Sequence, residues 1–326
     1  MTAAILGTGS YLPKKVLTNQ DLEKMIDTSD EWITTRSGIK ERRIVSERES
    51  CSSLATEAAK KALEMAQIEP EELDLIIAGT FTPDLRLPSG ACLVQNNLKA
   101  YNAAAFDLAA ACTGFIYGLT VAEKFIKDNP DIKALVIGAE VLSSITNWED
   151  RTTCVLFGDG AGAAVVGKGE KKEKGILASY IGSDPTVWDL LCVPGGGSLH
   201  PPFKKGVPKE EYFLKMKGNE VFKYAVRYME EAARIVLEKA GYSPKDIDWF
   251  IPHQANIRII NMVAKKLGIP QEKVFVNIEK YGNTSAATVP IALDEAVRAG
   301  FIKPGNLILL DAFGGGFTYG AILLRW

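Results

Sequence analysis

Two kinds of hydrophobic pattern alternate along the chain. Short, nearly continuous apolar runs are typical of strands buried on both faces, and apolar residues every three or four positions are typical of helices. The strand-like runs are 73–81, 103–110, 133–141, 248–254, 273–278 and 306–313. The clearest helical pattern spans 218–240, with apolar positions at Phe222, Ala225, Val226, Met229, Ala233, Val236, Leu237 and Ala240. Strands that alternate with helices predict an α/β fold.

The two halves of the chain repeat each other. The paired stretches are ELDLIIAG (72–79) with DIDWFIPH (246–253), and FGDGAGAAVVG (157–167) with FGGGFTYGAIL (313–323). The spacing between equivalent positions drifts slowly, which indicates a duplication with unequal loops. The charged segment 167–175 is the expected boundary, so we predict halves at 1–172 and 173–326. A loop rich in Gly and Pro, 193–211, is expected to cover part of the surface.

Composition and charge exclude several classes of protein. The 326 residues are 47% hydrophobic and 24% charged, which is ordinary for a globular protein. A net charge of −2 argues against a nucleic-acid-binding protein. The N-terminus has no positive residue before its short apolar run, and the apolar stretch 103–122 is interrupted by Asp107 and two glycines. We therefore expect a cytoplasmic protein without a signal peptide or a membrane span.

The sequence shows no sign of a metal or a nucleotide cofactor. Its five cysteines are dispersed, without a CxxC pair, and there are only two histidines. This indicates reduced thiols and makes a zinc site improbable. GTGS at 7–10 lacks the third glycine and the acidic residue of a dinucleotide fingerprint, and the chain has neither a P-loop nor a GxSxG elbow.

Cys112 is the candidate nucleophile. It follows a strand-like run in DLAAACTGF (107–115) and precedes a helical pattern. The positive end of a helix dipole favours a thiolate, and the small neighbouring residues leave room for a substrate. On these residues alone, a buried structural cysteine remains the alternative.

His253 and Asn283 are the candidate partners of Cys112. His253 ends a strand-like run and precedes a helix for which Asn256 is a suitable N-cap. Asn283 lies in GNTSAA, near the position that the duplication makes equivalent to Cys112. The alternatives are a helix-boundary histidine and a turn asparagine. The glycine-rich stretch 312–320 also follows a strand, and its amides could form half of an oxyanion hole.

Taken together, these motifs resemble one family. They are ACTGF around Cys112, HQAN (253–256), GNTSAA (282–287), FGGGFTYG (313–320), DEWITTRSGI (30–39), FGDGAGAAV (157–165) and MKGNEVFK (216–223). The chain resembles the β-ketoacyl-acyl-carrier-protein synthases III, which initiate type II fatty-acid synthesis. The resemblance implies a thiolase fold, in which duplicated α/β halves form a five-layered αβαβα architecture, and it implies a homodimer.

The resemblance also implies a mechanism without a cofactor. Cys112 would take an acyl group from acyl-CoA, with the amides of Cys112 and Gly315 as the oxyanion hole. Malonyl-acyl-carrier-protein would then lose CO₂ to supply the carbanion. His253 and Asn283 would donate hydrogen bonds to its thioester oxygen, where a carboxylate would repel the developing charge.

Further site residues follow from the same resemblance. The CoA site would comprise Trp32, Arg36, Arg151, Phe213, Met216, Gly218 and Asn256. The acyl pocket would comprise Leu87, Leu142, Leu156 and Phe157, with Leu87 reaching into the partner subunit. The acidic acyl carrier protein would bind Arg258, Lys265, Lys266 and Lys223. We expect acetyl-CoA or another short acyl-CoA as the primer.

Several other functions remain to be weighed. A starter-unit enzyme of a secondary polyketide pathway would carry the same motifs. A hydroxymethylglutaryl-CoA synthase would need a glutamate near the cysteine, which 105–120 lacks, and it and a plant-type polyketide synthase usually have longer chains. A thiolase would need a second cysteine near the C-terminus, but the last one is Cys192. A catalytically silent partner subunit would be expected to lose the cysteine or its partners.

Overall fold

The computed structural model describes residues 2–169 and 174–326. The strands are β1 (Ala3–Tyr11), β2 (Lys15–Thr18), β3 (Glu41–Ile44), β4 (Leu75–Gly79), β5 (Ala104–Leu108), β6 (Ala134–Val141), β7 (Asp159–Lys168), β8 (Gly175–Ser183), β9 (Leu191–Cys192), β10 (Lys215–Met216), β11 (Trp249–Pro252), β12 (Leu307–Gly314) and β13 (Thr318–Arg325). The helices are α1 (Asn19–Glu23), α2 (Asp30–Ser37), α3 (Cys51–Ala66), α4 (Gly90–Leu98), α5 (Gly114–Asp128), α6 (Gly218–Ala240), α7 (Ile257–Leu267), α8 (Ile278–Tyr281) and α9 (Thr288–Arg298). The predicted boundary between 172 and 173 lies outside the described residues.

Two sheets repeat one topology. The first has the strand order β1-β7-β6-β4-β5 and the second has β8-β13-β12-β11. In each sheet the first three strands pair antiparallel, and the third pairs in parallel with the fourth. β8, β13, β12 and β11 therefore correspond to β1, β7, β6 and β4. This correspondence agrees with the duplication expected from the sequence.

The core is arranged in five layers. α3 and α4 cover the outer face of the first sheet, and α6 and α7 cover the outer face of the second. α5 and α9 lie between the two sheets and bury residues such as Leu119 and Leu293. The order is therefore αβαβα, and the predicted thiolase fold is confirmed. None of the helices in the described part of the chain is both long and apolar enough to cross a membrane.

The prediction of a strand at 273–278 is wrong. Only Val274 forms a bridge, with Phe250 of β11, at the place that corresponds to β5 in the first sheet. The N–H of Phe275 still donates to the Phe250 carbonyl at 2.9 Å. The N–H of Asn277 instead donates to the Gln254 side chain at 3.1 Å, and α8 begins at the next residue. The apolar run is buried as predicted, but side-chain hydrogen bonds replace the strand ladder after one residue.

The helix predicted over 218–240 matches α6 at both ends. Its buried positions, among them Ala225, Met229, Ala233 and Val236, recur at helical spacing and face β13 and β12. Gly241 ends the helix with φ +74°, a left-handed conformation in which a side chain would be strained. α6 thus covers the second sheet and carries one wall of the site described next.

Candidate active site

One cavity of about 1080 Å³ runs between the two halves of the chain. Cys112, His253, Asn283 and Gly315 all line it. Cys112 precedes α5, His253 follows β11, Asn283 precedes α9 and Gly315 follows β12. The duplicated topology brings these junctions together because equivalent strand ends of the two sheets face each other. Residues that the sequence singled out separately therefore share one site.

Cys112 lies in a single 3₁₀ turn, Ala111–Thr113, directly before α5. The preceding Ala111 has φ +44°, a strained conformation for alanine. Burial, with a smaller contribution from the nearby Glu140 carboxyl, raises the pKa of the Cys112 thiol to about 12. Cys112 as a whole is half-buried, and it lines the cavity. Desolvation outweighs the hydrogen bonds that lower this pKa, so the thiol is favoured where the helix end was expected to favour the thiolate.

The amide of Cys112 is closely packed against the strand-end glycines. A Cβ at Gly314 would lie 2.6 Å from the Cys112 nitrogen, so no side chain fits there. Gly315, the next residue, lines the cavity beside Cys112. The contact keeps the backbones of the two halves adjacent at the reactive sulfur.

His253 is buried, with 2% of its surface exposed. Burial lowers its pKa to about 3, so the imidazole is neutral. Nδ1 lies 2.6 Å from the Thr288 hydroxyl, which also lies 3.0 Å from the Ser285 carbonyl. The hydroxyl has one proton. If it donates that proton to Nδ1, the other ring nitrogen, Nε2, carries the hydrogen and is a donor.

Asn283 is held by hydrogen bonds on both its backbone and its side chain. Its N–H donates to the Leu156 carbonyl at 2.9 Å, and its carbonyl accepts from Gly158 at 3.1 Å. Its side-chain Oδ1 accepts from the Ser285 N–H at 2.8 Å. With Oδ1 occupied in this way, the side-chain NH₂ is the group that can donate to a ligand. His253 and Asn283 are thus two neutral groups that can donate into one cavity.

Trp32 and Arg36 line the cavity, and two guanidinium groups lie near the Trp32 ring. The Arg36 guanidinium carbon lies 4.7 Å from the centre of that ring, and that of Arg151 lies 5.0 Å away. Arg151 does not line the cavity, and it donates to the Asp27 carbonyl at 2.8 Å. Met216, Gly218 and Asn256 line the wall, as expected for a ligand that reaches inward from Trp32.

Phe213 was expected to line the cavity, but it does not. Side chains of an extended chain point to alternate sides, and it is Leu214, with Met216 two positions on, that faces inward. Leu214 is buried, whereas Phe213 is half-buried with the Lys209 ammonium over its ring at 5.9 Å. The sequence prediction missed Leu214 by one position.

The predicted acyl-pocket residues separate into two groups. Leu142, Leu156 and Phe157 line the cavity and form an apolar cluster with Leu214 near Cys112. Leu87 is 86% exposed and does not line the cavity of this single chain. Its predicted role in a partner subunit stays a prediction.

Two of the four predicted basic residues line the cavity, and the other two lie further along α7. Lys223 of α6 and Arg258 of α7 line it, and Lys265 and Lys266 lie exposed at the far end of α7. Lys266 forms an ion pair with Glu230 at 2.7 Å. The four predicted residues are thus on two packed helices, but Lys266 is already partly neutralised.

Comparisons with known proteins agree with the sequence and the fold. Models of 3-oxoacyl-[acyl-carrier-protein] synthase III match residues 106–185, and models of the C-terminal part of that enzyme match 237–326. The β-ketoacyl-[acyl-carrier-protein] synthase III of Caldanaerobacter subterraneus is 57% identical over 326 residues, which is 100% of this chain and 98% of that protein. The chain belongs to the 3-oxoacyl-[acyl-carrier-protein] synthase III family. It is a condensing acyltransferase.

Solved structures support the same assignment. The synthase III of Aquifex aeolicus is 57% identical and superposes with a TM-score of 0.92, covering 99% of this chain and 100% of that one. The priming β-ketosynthase of the R1128 polyketide pathway is less similar, at 36% identity, with a TM-score of 0.91 and coverage of 99% and 96%. The identity of 57% to the synthase III, against 36% to the polyketide enzyme, favours a synthase III over a starter-unit enzyme of a polyketide pathway.

Sequence reasoning missed three polar or reactive residues at this synthase III site. Ser285 and Cys192 line the cavity, and Glu140 lies just behind it. The available signal for Glu140 was a single ionisable residue in the otherwise apolar stretch 134–141. Within the described ranges, no group of three or more His, Cys, Asp or Glu side chains is arranged to hold a metal ion.

Proposed function

We propose that this chain starts fatty-acid synthesis by condensing a short acyl group from acyl-CoA, such as acetyl, with malonyl-acyl-carrier-protein. The products are 3-ketoacyl-acyl-carrier-protein, CoA and CO₂. One observation carries the proposal: a single cavity leads from Trp32 and Arg36 to a cysteine, a neutral histidine and an asparagine. A cavity lined by both sets of residues suits a thioester whose acyl end must reach the sulfur from a bulky head group.

The first step is acyl transfer to Cys112. The sulfur attacks the thioester carbonyl, the bond between that carbon and the CoA sulfur breaks, and the thiol proton leaves with CoA. Negative charge on the carbonyl oxygen is stabilised by the N–H groups of Cys112 and Gly315. The raised pKa of Cys112 means that the thiol loses its proton only as the substrate binds and the reaction proceeds. Trp32, Arg36 and Arg151 bind the adenine end of CoA, where planar guanidinium groups stack on rings.

The second step is decarboxylation of the malonyl thioester. As CO₂ leaves, negative charge develops on the thioester oxygen, and His253 and Asn283 donate hydrogen bonds to it. For His253 this requires the tautomer with hydrogen on Nε2, in which the one proton of the Thr288 hydroxyl points to Nδ1 and not to the Ser285 carbonyl. The resulting carbanion attacks the acyl carbonyl and Cys112 leaves as a thiolate. Neutral donors suit this step because neither needs a proton supplied from solvent.

The proposed assembly is a cytoplasmic homodimer that works with the acyl carrier protein. Leu87, exposed on this chain, would then contact the acyl pocket of the partner subunit. Lys223, Arg258, Lys265 and Lys266 would contact the acidic carrier protein at the cavity mouth. No cofactor is needed, because CoA enters as part of the substrate.

The test is to incubate the protein with acetyl-CoA and to identify the acetylated peptide by mass spectrometry. We expect one acetyl group, on Cys112, and none in Cys112→Ser. Cys192→Ser is the matched control, since Cys192 also lines the cavity and is the rival nucleophile. Acetyl on Cys192 would overturn the assignment of the nucleophile, and an unlabelled protein would overturn the proposal and favour a catalytically silent subunit.

A further inference from the structure

Glu140 is a buried carboxyl group with two very different oxygens. It lies on β6 with none of its surface exposed. Oε2 accepts hydrogen bonds from the Thr80 hydroxyl at 3.1 Å, from the Phe81 and Thr82 amides at 3.3 and 3.1 Å, and from the Thr82 hydroxyl. Oε1 contacts the Ser285 hydroxyl at 3.3 Å. One oxygen therefore takes the donors, and the other faces the active site.

Ser285 connects Glu140 to the candidate nucleophile. Its hydroxyl oxygen lies 3.3 Å from Cys112 Sγ as well as from Glu140 Oε1. The residue has φ +51°, an unfavourable conformation for serine. The hydrogen bond from its N–H to Asn283 Oδ1 helps to hold it there. Such strain is kept where the backbone must direct one side chain to a set place.

The Ser285 hydroxyl has one proton and two possible acceptors. If Glu140 is ionised, its charge attracts that proton away from the sulfur. If Glu140 is protonated on Oε1, it donates to the Ser285 oxygen, and the Ser285 proton is then directed to Cys112. The state of the carboxyl therefore decides whether the sulfur receives a hydrogen bond.

We propose that protonated Glu140 is a positioning residue that acts on Cys112 through Ser285. The hydrogen-bond chain runs from Glu140 Oε1–H to Ser285 Oγ, and from Ser285 O–H to Cys112 Sγ. It stabilises the thiolate both at attack on acyl-CoA and when the thiolate leaves after condensation. The inference rests on the proposed function in taking Cys112 as the nucleophile.

The surroundings keep Glu140 protonated at neutral pH. Burial raises its pKa to about 8. The titratable groups that face it are Cys112, from the turn before α5, and Cys51 of α3, and the carboxylates of Asp84 and Asp107 act on Cys51 from further away. None of these groups is a cation, so none of them favours an ionised Glu140. Above about pH 8, ionisation would remove the hydrogen bond from Cys112 and repel its thiolate.

The test uses alkylation of Cys112 by iodoacetamide between pH 6 and pH 10, followed on the Cys112 peptide by mass spectrometry. Glu140→Gln cannot ionise, and its NH₂ can donate to Ser285 at every pH. We expect near wild-type rates at pH 7 and an apparent thiol pKa lowered by on the order of one unit, hence up to about tenfold faster alkylation at pH 9. Asp159→Asn is the matched control, because Asp159 is also fully buried but bonds to Ser143 and Val45.

Ser285→Ala separates the hydrogen-bond chain from charge alone. In that background, Glu140→Gln should produce a clearly smaller shift of the alkylation profile. An unshifted profile in Glu140→Gln, or the same shift with and without Ser285, would overturn the proposal. Acetylation by acetyl-CoA is scored separately. If the alkylation profile shifts but the protein takes up no acetyl group, the hydrogen-bond chain is supported and the proposed function is contradicted. If the protein is acetylated but the profile does not shift, only the hydrogen-bond chain is contradicted.

Discussion

Burial holds the reactive side chains of this site in their uncharged forms. It raises the pKa of Cys112 to about 12 and that of Glu140 to about 8, and it lowers that of His253 to about 3. Each shift has the same cause, the cost of a charge away from water. The resting site therefore holds little charge, and charge first appears on the reacting thioesters. Neutral donors can then stabilise it without prior rearrangement.

The buried His253 predicts a specific acid sensitivity of the fold. Its native pKa of about 3 lies below its ordinary value near 6.5, so between these values the unfolded chain binds the proton and the native chain does not. The stabilisation that comes from keeping His253 neutral is complete above about pH 6.5 and is lost as the pH falls toward about 3. Between pH 6 and pH 4, the free energy of unfolding of the wild type should fall by about 1.4 kcal/mol more per pH unit than that of His253→Gln. Urea denaturation at several pH values measures this difference, and parallel curves for the two proteins would contradict it.

Single residues differed in how far the sequence could predict them. Cys112, His253 and Asn283 could be singled out because each follows a strand-like run and precedes a helical pattern. Glu140 could not, because its partners lie 58 to 60 residues away in Thr82 and Thr80 and 145 away in Ser285. The pKa of Cys112 was predicted in the wrong direction, since a helix end is visible in the sequence and desolvation is not.

At the scale of elements, β6 and the turn before α9 are in backbone contact. A Cβ at Gly138 of β6 would lie 2.1 Å from the Ala286 carbonyl oxygen and 3.2 Å from the Ala287 nitrogen. The turn Ser285–Ala287 closely follows Asn283. The segment that packs against β6 therefore carries both Ser285, which contacts Cys112, and Asn283, which can donate into the cavity. The glycine thus sets the distance between the two halves at the site.

Gly138→Ala should disturb this contact. Because the clash is with backbone, we expect the free energy of unfolding to fall by roughly 1–3 kcal/mol and the condensation rate to fall as the turn shifts. Gly197→Ala is the matched control, since nothing lies within 4 Å of the added Cβ, and it should change stability by less than about 0.5 kcal/mol. Urea denaturation and turnover measure both effects. Equal stability of the two variants would show that the turn yields without cost.

Whole elements were predicted where periodicity and end signals agree. α6 has both a long apolar stripe and a terminal glycine, and its bounds match the prediction. The segment 273–278 has a strand-like composition, but it can form a strand only if enough backbone groups of β11 are free to pair with it. The side chain of Gln254 takes the Asn277 amide and ends the ladder. A local pattern cannot show that competition between side chain and strand.

At the scale of the molecule, the duplication creates the cavity between the halves and leaves its mouth near the second outer layer. The duplicated α/β organisation was predicted from the repeated motifs and the five-layered fold from the family resemblance, whereas the position of the cavity depended on how the two sheets stack. Around the mouth, Lys223 and Arg258 add positive charge to a chain whose net charge is −2. A local basic patch on an acidic protein can steer an acidic partner to one place.

Arg258→Glu should therefore weaken the step that uses the carrier protein more than the step that uses CoA. We expect KM for malonyl-acyl-carrier-protein to rise by about tenfold at low ionic strength, with a smaller rise at high salt, because exposed charges act mainly on association and are screened. Acetylation of Cys112 by acetyl-CoA should change far less. Arg48→Glu is the matched control, since Arg48 is exposed beside α3 in the opposite outer layer. Equal losses in both steps for Arg258→Glu would mean that the residue serves the cavity itself and not the carrier protein.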